Sequence, residues 1–234
     1  VATLILYVIM LLASTWGMLI FLGIRFYRSM YTDEGYLSHT LPVTANQLFL
    51  SKVLVSGVWY LFITIGIGIS VVALIVSLMT GLLNIGELSS VLTQYNGNIW
   101  EFLADAFYEL GRTYEEEMGI NLLHYGITLL LTYVAGPFIA MVTLFGALTI
   151  GQLSSKHKGF MGILAYAGVT ILSSIIGSTV QSAFMFGTNV MSSQSGISVS
   201  ANSAYDINVI TSLLLAAIMY GVSYYIMNKK LNLD

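Results

Sequence analysis

Long apolar runs separated by short polar stretches dominate the hydrophobic pattern of this chain. A helix needs about 20 apolar residues to cross the hydrocarbon core of a bilayer. Because lipid cannot satisfy exposed backbone groups, each run of that length is predicted to be a helix. Spans longer than a minimal crossing must tilt, kink or project beyond the bilayer. The predicted spans are Ala2–Ile24, Val53–Leu83, Leu122–Leu153, Phe160–Met191 and Ile207–Met227.

The composition points to lipid as the main solvent of the chain. Hydrophobic residues make up 57% of the sequence and charged residues only 8%, whereas soluble domains carry about 25% charged residues. A chain with so little charge cannot cover a surface that faces water. We therefore predict an all-α integral membrane protein that forms a single transmembrane domain over residues 1–234. The sequence has no cysteine, which excludes disulfides and thiolate metal sites.

The distribution of charge predicts how the spans are oriented. Lys and Arg are enriched on the cytoplasmic side of membrane proteins, and seven of the eight basic residues fall on one side when the spans alternate. The C-terminus is therefore predicted to be cytoplasmic, in a multi-pass membrane protein. An additional span before residue 1 would place the N-terminus inside as well and would make six spans in the full chain. The seven bases are Arg25, Arg28, Lys52, Lys156, Lys158, Lys229 and Lys230.

The loop between the first two spans has an unusual polar pattern. Pro42 is expected to end a helix at Leu41, and Thr44 is suited to cap a new helix that runs from Ala45 into the second span. Helices that only rest on anionic lipid favour Lys and Arg on their polar face, but none lies between Tyr31 and Ser51. The pattern therefore favours a protein-contacting segment, with an ordinary interfacial helix as the alternative.

One further set of residues in this loop is motif-like: Asp33, Glu34, Gly35, Tyr36, Leu37, Thr40, Leu41, Pro42, Val43, Gln47, Leu50, Ser51 and Lys52. The set resembles the permease subunits of bacterial type-2 ATP-binding-cassette (ABC) exporters, which implies a location in the bacterial plasma membrane. The resemblance also implies that residues 29–51 form a cytoplasmic coupling helix that docks on a separate ATPase subunit, and that the first span seen here is the second of six. The contacts it implies are Asp33, Glu34, Tyr36, Leu37, Thr40, Leu41, Pro42, Val43 and Gln47.

The same resemblance implies the partners of the chain. These are two copies of an ABC ATPase subunit, a second permease copy or a paralogue, and the lipid bilayer, with no nucleic acid. ATP and Mg would be held by the ATPase, so this chain would carry no cofactor and would not itself be an enzyme. A transporter driven by an ion gradient would place ionisable side chains inside the membrane, but the predicted span interiors contain no Asp, Glu, Lys or Arg. No phosphate-binding G-x-x-x-x-G-K-[ST] motif occurs either.

Three further segments have two interpretations each. Lys156, His157 and Lys158 form either a second cytoplasmic contact for the ATPase or a positive-inside anchor. Gly136 and Pro137 interrupt the third span as a hinge for alternating access or as a simple kink. Small residues at four-residue spacing in the fourth span favour close helix packing, within one subunit or at a dimer seam. They are Ser173 with Gly177, and Ser174 with Ser178.

An outer amphipathic helix is predicted over Ile99–Met118. Its apolar residues recur at spacings of three and four and make one stripe, which suits a helix packed on the outer face of the membrane. A lid whose acidic side attracts a cationic cargo is the other interpretation.

His124 is interpreted as an interfacial histidine near the outer end of the third span. Besides an ATP-driven exporter, a membrane scaffold or sensor that uses the outer helix to bind a partner fits the sequence, as does a membrane-embedded enzyme.

Overall fold

The computed structural model describes five long helices and few of the residues between them. The described residues are 2–32, 44–82, 93, 101, 104–105, 108–109, 111–113, 122–154, 157–195 and 202–229. Within these ranges every element is helical and no strand occurs. The five helices are α1 (Ala2–Tyr31), α2 (Ala45–Leu82), α3 (Leu122–Gly151), α4 (Lys158–Ser195) and α5 (Asn202–Lys229).

All five helices are long and apolar enough to cross a membrane. In the most apolar window of each helix, the other helices bury only 6% to 17% of the residues. Most apolar side chains therefore point away from the protein, which suits a bundle surrounded by lipid. The all-helical fold with five candidate spans is thus confirmed. Of the predicted coupling segment, residues 29–51, the part from 33 to 43 lies outside the described residues. Of the predicted outer helix, Ile99–Met118, 12 of the 20 residues lie outside them.

The helices extend beyond the predicted apolar runs at the basic end of the bundle. α1 continues to Tyr31 rather than ending at Ile24. α2 begins at Ala45, as the predicted cap at Thr44 requires, before its apolar run starts at Val53. These added turns are amphipathic, because Phe26, Met30 and Phe49 are buried in the core while neighbouring polar residues are exposed. α2 and α4 have 38 residues each, or about 57 Å at 1.5 Å per residue, and so exceed the roughly 30 Å hydrocarbon core.

Helix α3 is the centre of the bundle, since α1, α2, α4 and α5 all contact it. Its buried face includes Met141, Phe145, Ala147 and Thr149, all fully buried. Gly151 on α3 and Gly162 on α4 let the backbones of these two helices approach each other closely. A Cβ on Gly151 would lie 2.4 Å from the Cα of Gly162 on α4, so only glycine fits at this crossing.

The start of α2 is fixed by a reciprocal capping box. The backbone N–H of Gln47 donates to the Thr44 hydroxyl at 3.3 Å, and the backbone N–H of Thr44 donates to the Gln47 side-chain carbonyl at 3.1 Å. This arrangement satisfies two backbone donors at the end of a helix. The predicted cap at Thr44 and the helix that runs from Ala45 into the second span are confirmed.

Replacing Thr44 with alanine should cost about 1 kcal/mol of stability, since an N-cap hydroxyl is lost. Thr64→Ala is the matched control, because its hydroxyl donates only to the Leu61 carbonyl within α2. Thermal unfolding in detergent should show a midpoint lower by about 2 to 4 °C for Thr44→Ala. Equal midpoints for the two variants would show that the capping box does not determine where α2 begins.

Candidate functional site

A polar cleft lies between α3, α4 and α5, within the apolar part of the bundle. It encloses about 550 Å³, and ten of its fifteen lining residues carry a hydroxyl or amide group. None of the lining residues is charged. Polar side chains at membrane depth are normally turned towards other helices or a cavity rather than lipid. The polar lining consists of Thr143, Tyr166, Thr170, Ser173, Ser174, Ser178, Gln181, Asn208, Thr211 and Ser212.

Helical periodicity places these residues on common faces. On α4 the polar positions recur at spacings of three and four from Thr170 to Gln181, so they share one side of the helix. Asn208, Thr211 and Ser212 form the matching side of α5. The sequence predicted tight packing for the small residues of α4, but a Cβ on Gly177 would meet nothing within 4 Å. Within this chain these residues line the cleft, and no other helix packs closely against Gly177. Their use at a dimer seam stays a prediction.

The hydroxyl groups of the cleft mostly donate to their own helix backbone. Ser174 donates to the Thr170 carbonyl at 2.8 Å, and Thr211 donates to the Ile207 carbonyl at 2.7 Å. Thr143 on α3 does the same towards Ile139 at 2.8 Å. A hydroxyl oxygen that has donated its proton still has lone pairs to accept hydrogen bonds. The cleft thus offers many neutral acceptors, with amide donors from Gln181 and Asn208, and can hold polar uncharged groups.

A second cavity lies on the other side of α3, between α2, α3 and α5. It encloses about 420 Å³ and is rich in tyrosine and threonine. Gly136 and Asn208 line both this cavity and the polar cleft, and Pro137 lines the second cavity alone. The predicted hinge therefore lies where the two cavities approach each other. Pro137 has no N–H, so α3 lacks one backbone hydrogen bond at this level, and hinge motion there stays a prediction.

Beside the second cavity lies a polar contact that the sequence did not predict. Asp206 on α5 accepts from the Thr128 hydroxyl at 3.1 Å and lies 3.0 Å from His124 Nε2. From the sequence, His124 was interpreted only as an interfacial histidine. The sequence shows that His124 and Thr128 are one turn apart and so share a helix face. No sequence pattern shows that Asp206 is the acid that faces them.

At the basic end, three contacts hold the ends of α1 and α2 against α3 and α5. The Tyr31 hydroxyl lies 2.8 Å from the Thr149 hydroxyl. Thr149 donates its own proton to the Phe145 carbonyl, so Tyr31 is the donor in this pair. The Tyr220 hydroxyl donates to the Asn46 side chain. The ring of Phe26 stacks on that of Phe145, with centroids 3.9 Å apart and planes 5° from parallel.

Most of the predicted coupling residues, and Lys156 of the predicted second contact, lie outside the described residues. The coupling residues concerned are Asp33, Glu34, Tyr36, Leu37, Thr40, Leu41, Pro42 and Val43. Gln47 is exposed and belongs to the capping box, while His157 and Lys158 are exposed at the start of α4. His157 has a φ of 53°, the left-handed conformation often found at a tight turn. The described part of the structure shows no hydrogen bond between Gln47 and either of these two residues.

The described residues also contain no group of three His, Asp or Glu side chains placed to hold a metal ion. The polar cleft, the second cavity and the contacts at the basic end are the polar features that the described residues bring together. Comparison with protein-family models, with characterised proteins and with solved structures gave no match to this chain.

Proposed function

We propose that this chain is the permease subunit of an ATP-driven ABC exporter. The elbow, defined here as residues 33–43, joins α1 to α2 and would receive the force from a separate ATPase. The observation that carries the proposal is the set of contacts that link both ends of the elbow to α3 and α5. Those two helices form two of the three walls of the polar cleft.

The first link runs from the end of α1 into α3. Tyr31, two residues before the elbow, donates to the buried hydroxyl of Thr149, and Phe26 stacks on Phe145 one turn earlier. Farther along α3 lie Thr143 and Gly136 in the cleft wall. Because a helix transmits displacement along its length, a push on the end of α1 would move this wall.

The second link runs from the start of α2 into α5. Asn46, three residues after the elbow, accepts from Tyr220, and the capping box at Thr44 fixes the first turn of α2. Tyr220 lies nine residues from Thr211, or about 13.5 Å along α5. Asn208, Thr211 and Ser212 of α5 line the cleft. Movement of the elbow would therefore reach two of the cleft walls through separate contacts.

The proposed cycle uses this linkage for alternating access. ATP binding brings two ATPase subunits together, and they press on the elbow of each of two permease copies or of this chain and a paralogue. Rigid-body movement of the spans then changes which side of the membrane the cleft opens to. Gly136 and Pro137, between the two cavities, would permit α3 to bend. In this proposal the basic end, the elbow and the C-terminus face the cytoplasm of a bacterial cell.

Copurification from native membranes tests the proposal directly. The tagged full-length chain should bring down a nucleotide hydrolase whose activity depends on the complex. The variant Glu34→Ala with Leu41→Ala should lower the recovered ATPase activity about tenfold, corresponding to roughly 1.4 kcal/mol of binding free energy. A matched variant, Glu101→Ala with Leu123→Ala, removes the same residue types near the other end of the bundle and should have no effect. A chain that binds no nucleotide hydrolase in any nucleotide state would refute the proposed function.

A further inference from the structure

A small basic pocket lies between α1 and α2, apart from the polar cleft and the second cavity. It encloses about 180 Å³. Its floor is made by Leu22 and Phe26, which are both buried. The pocket is smaller than the roughly 300 to 1,000 Å³ of sites that enclose a drug-sized ligand, so it can take only part of a larger molecule. The polar and aromatic residues around it are Arg25, Ser29, Ser51, Lys52, Ser56 and Trp59.

The two bases reach this space from different helices. Arg25 is one turn before Ser29 on α1, and Lys52 is one turn before Ser56 on α2, so each pair lies on one helix face. The Ser29 and Ser51 hydroxyls donate to backbone carbonyls of their own helices. The donors that remain are therefore chiefly the Arg25 guanidinium and the Lys52 ammonium. Among the described residues, neither base forms an ion pair, and the pocket lining contains no acid.

The surface beside the pocket is apolar and turned outward. Leu54, Val55 and Trp59 are each about half exposed and continue along α2 from Lys52 towards the middle of the span. Trp is favoured at the level of lipid headgroups. A ligand that places an anionic group between Arg25 and Lys52 would thus lay an apolar part along α2. An anionic phospholipid has this combination of groups.

We propose that Arg25 and Lys52 bind the phosphate of an anionic phospholipid, whose acyl chains lie along Val55 and Trp59. Basic pockets between transmembrane helices are known to hold such headgroups, and juxtamembrane Lys and Arg are attracted to anionic lipid. A guanidinium can bind a phosphate through two parallel hydrogen bonds, while Lys adds a point charge. The bound lipid would join α1 to α2 at the basic end of the bundle. The site requires only a bundle placed in a bilayer, so it stands independently of the proposed transport function.

Quenching of Trp59 by brominated lipid tests this site in the full-length chain. The reporter protein carries Trp16→Phe and Trp100→Phe, which leaves Trp59 as its single tryptophan. In bilayers of otherwise identical composition, brominated phosphatidylglycerol should quench Trp59 with an apparent affinity about tenfold above that of brominated phosphatidylcholine. The double variant Arg25→Gln with Lys52→Gln should reduce this preference to about one. A protein with Trp16 as its single tryptophan should show no preference between the two lipids.

The control variant Arg28→Gln with Lys158→Gln removes the same charge from residues that do not line the pocket and should keep the preference. The conservative variant Arg25→Lys with Lys52→Arg, which keeps both charges, should keep it as well. Loss of the preference in either of these variants, or its survival in the Arg25→Gln, Lys52→Gln variant, would overturn the site.

Inorganic phosphate at about 50 mM, with ionic strength held constant by chloride, should leave the lipid preference of Trp59 quenching unchanged. Its loss under this condition would assign the pocket to free phosphate and overturn the lipid assignment.

Discussion

Replacing Gly151 with alanine is expected to lower the stability of the bundle by about 3 kcal/mol, at the upper end of the usual cost of overpacking. The added Cβ would lie 2.4 Å from both the Cα and the backbone nitrogen of Gly162. A flexible side chain could move aside, but here the obstacle is the backbone of α4. The two helices must therefore separate or shift, which also disturbs Leu148, whose side chain packs against Gly162.

Gly168→Ala is the matched control for this substitution. Gly168 is also a helical glycine on α4, but a Cβ there would meet nothing within 4 Å. Alanine is favoured over glycine in a helix by roughly 1 kcal/mol, so this variant should be as stable as the original chain or more so. Thermal unfolding in detergent should show a midpoint lower by about 6 to 12 °C for Gly151→Ala alone. Similar midpoints for both variants would mean that α3 and α4 do not cross at Gly151.

The helices could be predicted from the sequence because lipid imposes one strict requirement on them. Long apolar runs must satisfy their own backbone groups, so span number and approximate bounds follow from hydropathy alone. The end of α1 was placed less well, because the amphipathic turns that carry Arg25 and Arg28 fall outside an apolar window. There the packing of Phe26 and Phe49 extends the helix into polar sequence. The cap at Thr44 was predictable because capping is a local interaction.

The cleft could not be predicted because it depends on how three helices face one another. Ser173, Ser174 and Gly177 satisfy the spacing of a tight helix contact, and the same spacing also lines one face of a cavity. Only the partner helix decides between these outcomes, and α5 presents Asn208 and Thr211 to the cleft. The contact between Tyr31 and Thr149 spans 118 residues, and no local pattern specifies such a pair. The hinge at Gly136 was named from one proline, but its place between two cavities came from the fold.

Phe26→Ala should be the second strongly destabilising substitution. Phe26 is only 2% exposed, and its ring contacts those of Tyr31, Phe49 and Phe145. It thereby joins α1, α2 and α3 at the basic end of the bundle. In lipid the surrounding acyl chains are as apolar as the core, so the transfer part of the usual cost is small. The lost packing and the aromatic contacts remain, and we expect about 3 kcal/mol, the lower end of the range for a buried phenylalanine.

Phe21→Ala provides the control on the same helix. Phe21 is 56% exposed and faces outward, so its removal should change stability by less than about 0.5 kcal/mol. A double-mutant cycle with Phe145→Ala should give a coupling energy of about 0.5 to 1.5 kcal/mol between the stacked rings. The measurement is the unfolding midpoint of each variant in detergent, with helix content as a check on folding. If Phe26→Ala and Phe21→Ala are equally stable, the aromatic cluster does not contribute to holding the ends of the elbow, and other contacts hold α1 to α3.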